Sequence, residues 1–299
     1  RPLPRPTRRT RAAGASVWGG VRVRPEVVAV VPLLLALLAG WLGQLGGGLT
    51  DNYENLTRYP NDLEHPHLVH ALRDGALTLP GLRVAIIGCY GVALIAGAWL
   101  LHHAGIPVLV IGILSILASW IYSAGPFPFG SRGIADPLFF VFFGIVSVVG
   151  CYYVQAAPAY DHPSFWQAVP EAFPLTAFAL SLPIGALITN ILIIDDIRDR
   201  EFDVVKGKRT LAVRAGVAWS RAEFVVLLAF SYLVLFWFWL GLNLGALILL
   251  PLLTLPYALS IVRGVLTRER FEDLVPMTPK AGRLLLAYAV FLAIGVAKG

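Results

Sequence analysis

Five acids crowd into the nine residues Asp195-Asp196-Ile197-Arg198-Asp199-Arg200-Glu201-Phe202-Asp203, directly after an apolar run that ends at Ile193-Ile194. A helix continued through this run sets Asp195, Asp199 and Asp203 at i, i+4 and i+8, on one face. Like charges at that spacing repel, so the ladder costs energy unless a cation joins it. Carboxylates suit Mg2+, a hard cation that takes oxygen ligands and shares its shell with substrate phosphates. Lys206, Lys208 and Arg209 follow at once. Cations beside such a metal suit a diphosphate, which Arg grips through two parallel hydrogen bonds and Lys as a point charge. The alternative is a solvated charged loop that anchors a helix at the headgroups. Helical spacing, with acids preceding bases, favours the metal and diphosphate.

A second polar cluster reads Asp51-Asn52-Tyr53-Glu54-Asn55, then Arg58, Asn61, Asp62 and Glu64. Asp51 and Asn55 share a face at i, i+4, and both carboxylate and amide oxygens ligate hard cations. Taken alone, a polar loop explains the stretch equally well. His65, His67 and His70 have an HxHxxH spacing that could suggest zinc, but no Cys or acid pattern completes a tetrahedron. Tyr122 ends an apolar run, with its hydroxyl at the interface, before the stiff loop Ser-Ala-Gly-Pro-Phe-Pro-Phe-Gly-Ser-Arg132. There is no P-loop, GxGxxG or GxSxG pattern, which argues against ATP-driven and hydrolase chemistry.

The elements that must hold these residues are membrane helices. Of 299 residues 57% are hydrophobic and 14% charged, with a mean hydropathy of +0.72. A soluble domain carries roughly 45–50% apolar and ~25% charged residues. A core of this size could not hide the excess. Eight runs approach the ~20 residues a spanning helix needs: Val27–Gly47, Leu82–Leu101, Val108–Ala124, Pro137–Ala156, Ala172–Ile194, Arg221–Leu240, Leu242–Val262 and Gly282–Val296. Apolar residues run continuously rather than alternating, which excludes a β-barrel. The fold class is therefore an all-α polytopic transmembrane bundle. Cys89 and Cys151 lie in apolar runs and read as small core residues.

Eight spans put loops 48–81, 125–136, 195–220 and 263–281 on one face. Sixteen Arg and Lys between Arg58 and Arg283 lie on or beside these loops, while the other face has only Lys298. The positive-inside rule makes the first face cytoplasmic. The net charge of +6 is thereby assigned to loops beside a bilayer rather than to nucleic acid. Residues 1–25 carry seven arginines and no acid, and eight spans place them on the opposite face, against the rule. A missing or aberrant first span would resolve the conflict. The expected organisation is a basic, atypical or disordered segment over 1–25 and one transmembrane domain over 26–299.

From about Val30 onward the chain resembles the UbiA superfamily of intramembrane prenyltransferases, and within it the 1,4-dihydroxy-2-naphthoate polyprenyltransferases. Three stretches carry the likeness: Leu117 to Gly133, with Asp136, Phe142-Phe-Gly and Tyr152-Tyr-Val-Gln155; Asp195 to Gly216; and Leu274-Val-Pro-Met-Thr-Pro-Lys-Ala. The resemblance implies nine membrane helices around a cavity open to lipid, eight of them visible here. Two Asp-rich motifs would hold Mg2+ and an isoprenyl diphosphate. Asp199 and Asp203 match the family's metal-binding aspartates, while Asp195 and Asp196 stand where this branch commonly has asparagine. Lys208, Arg209 and Arg132 match basic positions near the diphosphate, and Tyr122 a tyrosine that binds or polarises it. The first motif departs from Asn-Asp-x-x-Asp: Asp51, Asn52 and Asn55 align with it, so two carboxylates have become amides and one Asp has moved. Residues 1–25 take the place of the family's additional helix.

The resulting candidates are Asp199, Asp203 and Tyr122 for catalysis. Arg132, Lys208, Arg209, Arg198, Arg58 and Asn52 are candidates for substrate binding, and Asp199, Asp203, Asp195, Asp51 and Asn55 for metal. The expected reaction is Mg2+-dependent transfer of a polyprenyl group from its diphosphate to an aromatic acceptor, 1,4-dihydroxy-2-naphthoate, with decarboxylation to demethylmenaquinone. The expected setting is a bacterial plasma membrane, with the site on the cytoplasmic face. Phe139, Phe140, Phe143, Tyr152 and Tyr153 are candidate walls for an allylic cation. Two alternatives are a relative with another acceptor and a degenerate, non-catalytic one. A secondary transporter would need ionisable residues at mid-membrane, and none is visible.

Overall fold

The computed structural model describes residues 29–59, 66–125, 127–157 and 172–298, without the side chains of 66 and 67. The basic segment 1–25, Asn61, Asp62, Glu64, His65 and the His67 side chain lie outside the described residues. His70 is exposed.

Eight helices are long and apolar enough to cross a membrane, one for each expected run. We label them α1 (Val30–Arg58), α3 (Leu79–Ala104), α4 (Ile106–Ser123), α5 (Ala135–Ala156), α6 (Leu175–Val205), α7 (Val217–Leu240), α8 (Ala246–Thr267) and α9 (Phe271–Lys298). A short helix, α2 (Pro66–Arg73), lies between α1 and α3. No strand occurs among the described residues. The chain is an integral membrane protein.

Two of the helices that outrun their apolar stretches, α1 and α6, create the site. At 1.5 Å per residue α6 is about 46 Å long and α1 about 43 Å, against roughly 30 Å of hydrocarbon. Their polar ends therefore stand beyond the apolar layer. The cluster at Asp51, read from the sequence as part of a loop, is instead the last two turns of α1. The acidic run after Ile194 continues α6 to Val205, as its spacing predicts.

Helix α6 is the axis of the bundle. Of its most apolar stretch 67% is buried, against 11% for α1 and for α4. It packs against α5, α7 and α9, while α1 packs along α3 and touches α4 and α5. The main core joins α6 to α9 through Phe224, Leu235, Phe238, Ile248 and Ile261. Buried tyrosines there find hydrogen-bond partners, as such groups must: Tyr232 pairs with Thr254 at 2.7 Å, and Tyr288 donates to the Ser231 carbonyl.

Helix α5 approaches α6 so closely that a Cβ on Gly144 would fall on the Gly185 backbone, the small-residue contact by which membrane helices pack. The centre of α5, Phe140–Val146, is wound as a π-helix, a form often found at functional sites. On the opposite face Gly105, at φ +82°, ends α3 and lets α4 begin at the next residue.

Candidate active site

The extended ends of α1 and α6 face each other across a polar cavity of about 210 Å3, closed by the end of α4 and by the segment after α6. Asp51, Asn55 and Arg58 come from α1, and Tyr122 and Ser123 from α4. Asp195, Asp196, Arg198, Asp199 and Asp203 come from α6, with Lys208 and Thr210 just beyond it. The three helix ends lie on the face that carries the basic loops.

The first motif is ordered by its own hydrogen bonds. Ser123 Oγ donates to Asp51 Oδ1 at 2.7 Å, and Asn55 Nδ2 donates to Asp51 Oδ2 at 3.0 Å. Arg58 pairs with Glu54 at 2.8 Å. Opposite them Asp203 is buried, with Lys208 Nζ 3.2 Å from Oδ1 and Thr210 Oγ1 donating to Oδ2 at 3.4 Å. Arg198 donates to both oxygens of Asp199 at 2.5 and 2.6 Å and to Asp195 at 2.6 Å. Tyr59 donates to the Lys206 carbonyl at 2.7 Å, tying the end of α1 to the end of α6.

Nine of the twelve candidate residues line this cavity: Asp51, Asn55, Arg58, Tyr122, Asp195, Arg198, Asp199, Asp203 and Lys208. Asn52, Arg132 and Arg209 do not. Asn52 follows Asp51 and so points about 100° away around the helix. The Arg132 guanidinium lies 4.5 Å from the Phe127 ring centroid, and its carbonyl accepts from Arg214 at 3.3 Å. The exposed Arg209 contributes its backbone, donating to the Ser131 carbonyl at 2.7 Å. Gly133, at φ +70°, lets the two strands of chain meet, since a Cβ there would lie 2.8 Å from the Arg209 carbonyl oxygen.

Asp196, Glu54, Tyr59, Ser123 and Thr210 also line the cavity but were not among the sequence candidates. Asp196 lies off the i, i+4, i+8 face shared by Asp195, Asp199 and Asp203. Glu54 pairs with Arg58 at i, i+4 within α1, whereas Tyr59, Ser123 and Thr210 carry no spacing signal, since their contacts join different elements.

The cavity holds six acids, counting Glu54, against three cations. A diphosphate alone would be repelled by that balance, whereas Mg2+ would offset it. All the donors are oxygens, which suits a hard cation. Among the described residues no three His, Cys, Asp or Glu side chains converge as a ready-made metal shell. Mg2+ itself keeps waters and takes phosphate oxygens rather than filling an all-protein cage.

The polar cavity continues into an apolar one of about 520 Å3 between α1, α3, α4 and α5, and Asp51, Tyr122, Leu192 and Asp195 line both. The apolar walls include Phe139 and Phe143, whose ring centroids are 4.5 Å apart, with Phe139 5.6 Å from Tyr122. Phe140, Tyr152 and Tyr153 do not line it. Tyr153 is fully buried, stacks on Phe173 and donates to the Ala104 carbonyl, so its role is packing.

A family model, the UbiA prenyltransferase family, matches residues 12–275. The chain belongs to this family. Among curated relatives, the 1,4-dihydroxy-2-naphthoate octaprenyltransferase of Mycobacterium tuberculosis is 30% identical over 69% of this chain and 62% of its own length. The enzyme of the same name from Mycobacterium leprae is 27% identical over 71% and 64%. In these alignments the chain spans less than two-thirds of the relatives' length. A UbiA homologue from Aeropyrum pernix K1 shares the fold, with a TM-score of 0.61, 14% identity and 90% coverage of each chain. A second, from Archaeoglobus fulgidus, was solved bound to DMAPP and Mg2+. It superposes with a TM-score of 0.54 at 13% identity, covering 94% of this UbiA-family chain and 93% of its own.

Proposed function

We propose that this UbiA-family chain transfers a polyprenyl group from its diphosphate to 1,4-dihydroxy-2-naphthoate, with loss of CO2, giving demethylmenaquinol, the reduced form of demethylmenaquinone. The observation that carries the reading is the junction of the two cavities. A charged chamber sized for a diphosphate opens, at Asp51, Tyr122, Leu192 and Asp195, into an apolar chamber suited to an isoprenoid chain. The names of the bacterial relatives support the acceptor.

In this reading Asp199 and Asp203 hold Mg2+ from α6, with Asp195, Asp51 and Asn55 as further oxygen donors. When bound, Mg2+ neutralises charge on the leaving diphosphate oxygens. Lys208, Arg58 and Arg198 place positive charge around the same oxygens before reaction, so little reorganisation is needed as the bond breaks. The C–O bond to the allylic carbon breaks and its electron pair leaves with the diphosphate. Tyr122 holds its hydroxyl at the boundary, on the diphosphate side of Phe139. The faces of Phe139 and Phe143 stabilise the allylic cation and keep water from it. The electron-rich naphthoate ring supplies the pair for the new C–C bond, and loss of CO2 restores its aromaticity. Sixteen cations on the site-bearing face support a cytoplasmic site in a bacterial plasma membrane.

The test is prenyl transfer by the full chain in nanodiscs, with a polyprenyl diphosphate and dihydroxynaphthoate, with and without Mg2+. Mg2+-dependent demethylmenaquinol that vanishes in Asp199→Ala is expected. Diphosphate binding with no product from dihydroxynaphthoate would overturn the acceptor. No product from any aromatic acceptor would overturn the enzyme.

A further inference from the structure

Arg198 spends its guanidinium on the acids that the metal needs. Nε and Nη2 donate to the two oxygens of Asp199 at 2.5 and 2.6 Å, and Nη1 donates to Asp195 Oδ1 at 2.6 Å and to Thr278 Oγ1 at 3.2 Å. Thr278, on α9, donates to the same Asp195 oxygen at 2.6 Å. The Phe271 ring centroid lies 5.7 Å from the guanidinium carbon. Both oxygens of Asp199 and one of Asp195 are thus engaged with a cation that α9 braces from behind.

We infer that Arg198 is a positioning residue that holds Asp199 and Asp195 against a bare divalent cation and releases them when a diphosphate arrives. The inference rests on the metal–diphosphate reading of the cavity and deepens it. A metal ion that reached Asp199 would displace the guanidinium yet remain beside it, because Arg198 is the next residue on the helix and its side chain is only 18% exposed. Two neighbouring cations in a half-buried site repel. A diphosphate removes the conflict, since its oxygens accept the guanidinium fork with the geometry a carboxylate offers. Metal and diphosphate then bind as a pair, each raising the other's affinity by the same factor, typically about 5–150-fold.

The readout is Mn2+ binding to the full chain in nanodiscs, followed by electron paramagnetic resonance with and without inorganic pyrophosphate. The unsubstituted protein is expected to bind Mn2+ weakly alone and about tenfold or more tighter with pyrophosphate. Arg198→Gln removes the charge and frees the carboxylates. It should bind Mn2+ alone about tenfold tighter than the unsubstituted protein, with little further gain from pyrophosphate. Thr278→Val keeps every charge and removes one brace, so it should shift bare Mn2+ affinity the same way by about threefold. It carries the test if Arg198→Gln does not fold. Arg198→Lys keeps the positive charge and should restore weak bare binding, which a merely structural role would not predict. Unchanged bare Mn2+ affinity in both Arg198→Gln and Thr278→Val, or tight Mn2+ binding by the unsubstituted protein alone, overturns the inference while leaving the site reading intact. No Mn2+ binding even with pyrophosphate overturns both.

Discussion

The acids of the cavity differ in what already holds them, so their substitutions should differ. Asp203 is buried with Lys208 and Thr210, and Asp203→Ala removes the carboxylate 3.2 Å from the half-buried Lys208 ammonium. Both activity and thermal stability should fall. Breaking such a pair costs about 3–5 kcal/mol when fully buried, and less here because Lys208 is 21% exposed. Asp199→Ala should lower turnover about 10^2–10^3-fold, the usual effect of losing one electrostatic contact to the transition state, with a smaller change in melting temperature. Asn55 tests the altered first motif. Its amide donates to Asp51, and Asn55→Asp would set two carboxylates against each other at i, i+4. Asn55→Asp should therefore melt below the unsubstituted protein in EDTA and gain more from added Mg2+, as read by thermal melts in each buffer. Equal Mg2+ responses would exclude residue 55 from the metal site.

The ladder on α6 was legible because helix geometry alone puts Asp195, Asp199 and Asp203 on one face. The helical state of Asp51 was not, since the apolar signal of α1 fades at Gly47 while the helix runs on to Arg58. What holds that end is contact with other elements: Leu56 packs with Val69 and Leu82, and Tyr59 bonds to the Lys206 carbonyl. The π-helical centre of α5 was equally hidden, because it coincides with the Gly144–Gly185 approach to α6. Gly144→Val should open that interface. Overpacking typically costs about 1–3 kcal/mol, so a lower melting temperature is expected, with a loss of transfer activity as Phe139 and Phe143 shift. A variant that melts and turns over normally would show that the approach does not position the aromatic wall.

Across the whole molecule the proposed function divides the work between the two cavities and gives the apolar one the prenyl chain. Gly97 on α3 and Gly112 on α4 both line it, and a Cβ on either would meet no atom within 4 Å. A side chain can leave either helix without strain at its Cβ, and leucine there would take up part of the chamber. Gly97→Leu and Gly112→Leu should therefore reduce transfer from long polyprenyl diphosphates while largely sparing a short allylic diphosphate. The check is kcat/KM across a donor-length series. An equal loss with every donor would place the chain elsewhere.

The sequence by itself determined the membrane class, the eight spans and the acidic ladder. These depend on composition and on periodicity within single helices, which one chain segment carries alone. It could not separate Lys208 from Arg209, or Arg58 from Arg132, although all four are cations near the same loops. Only the tertiary structure decided that Lys208 and Arg58 line the cavity, while Arg209 serves through its backbone and the Arg132 guanidinium lies by Phe127. It also brought in Ser123 and Thr278, which reach the carboxylates from other helices. Which side chain enters a cavity depends on how distant helices rotate against one another, and no spacing along the chain records that.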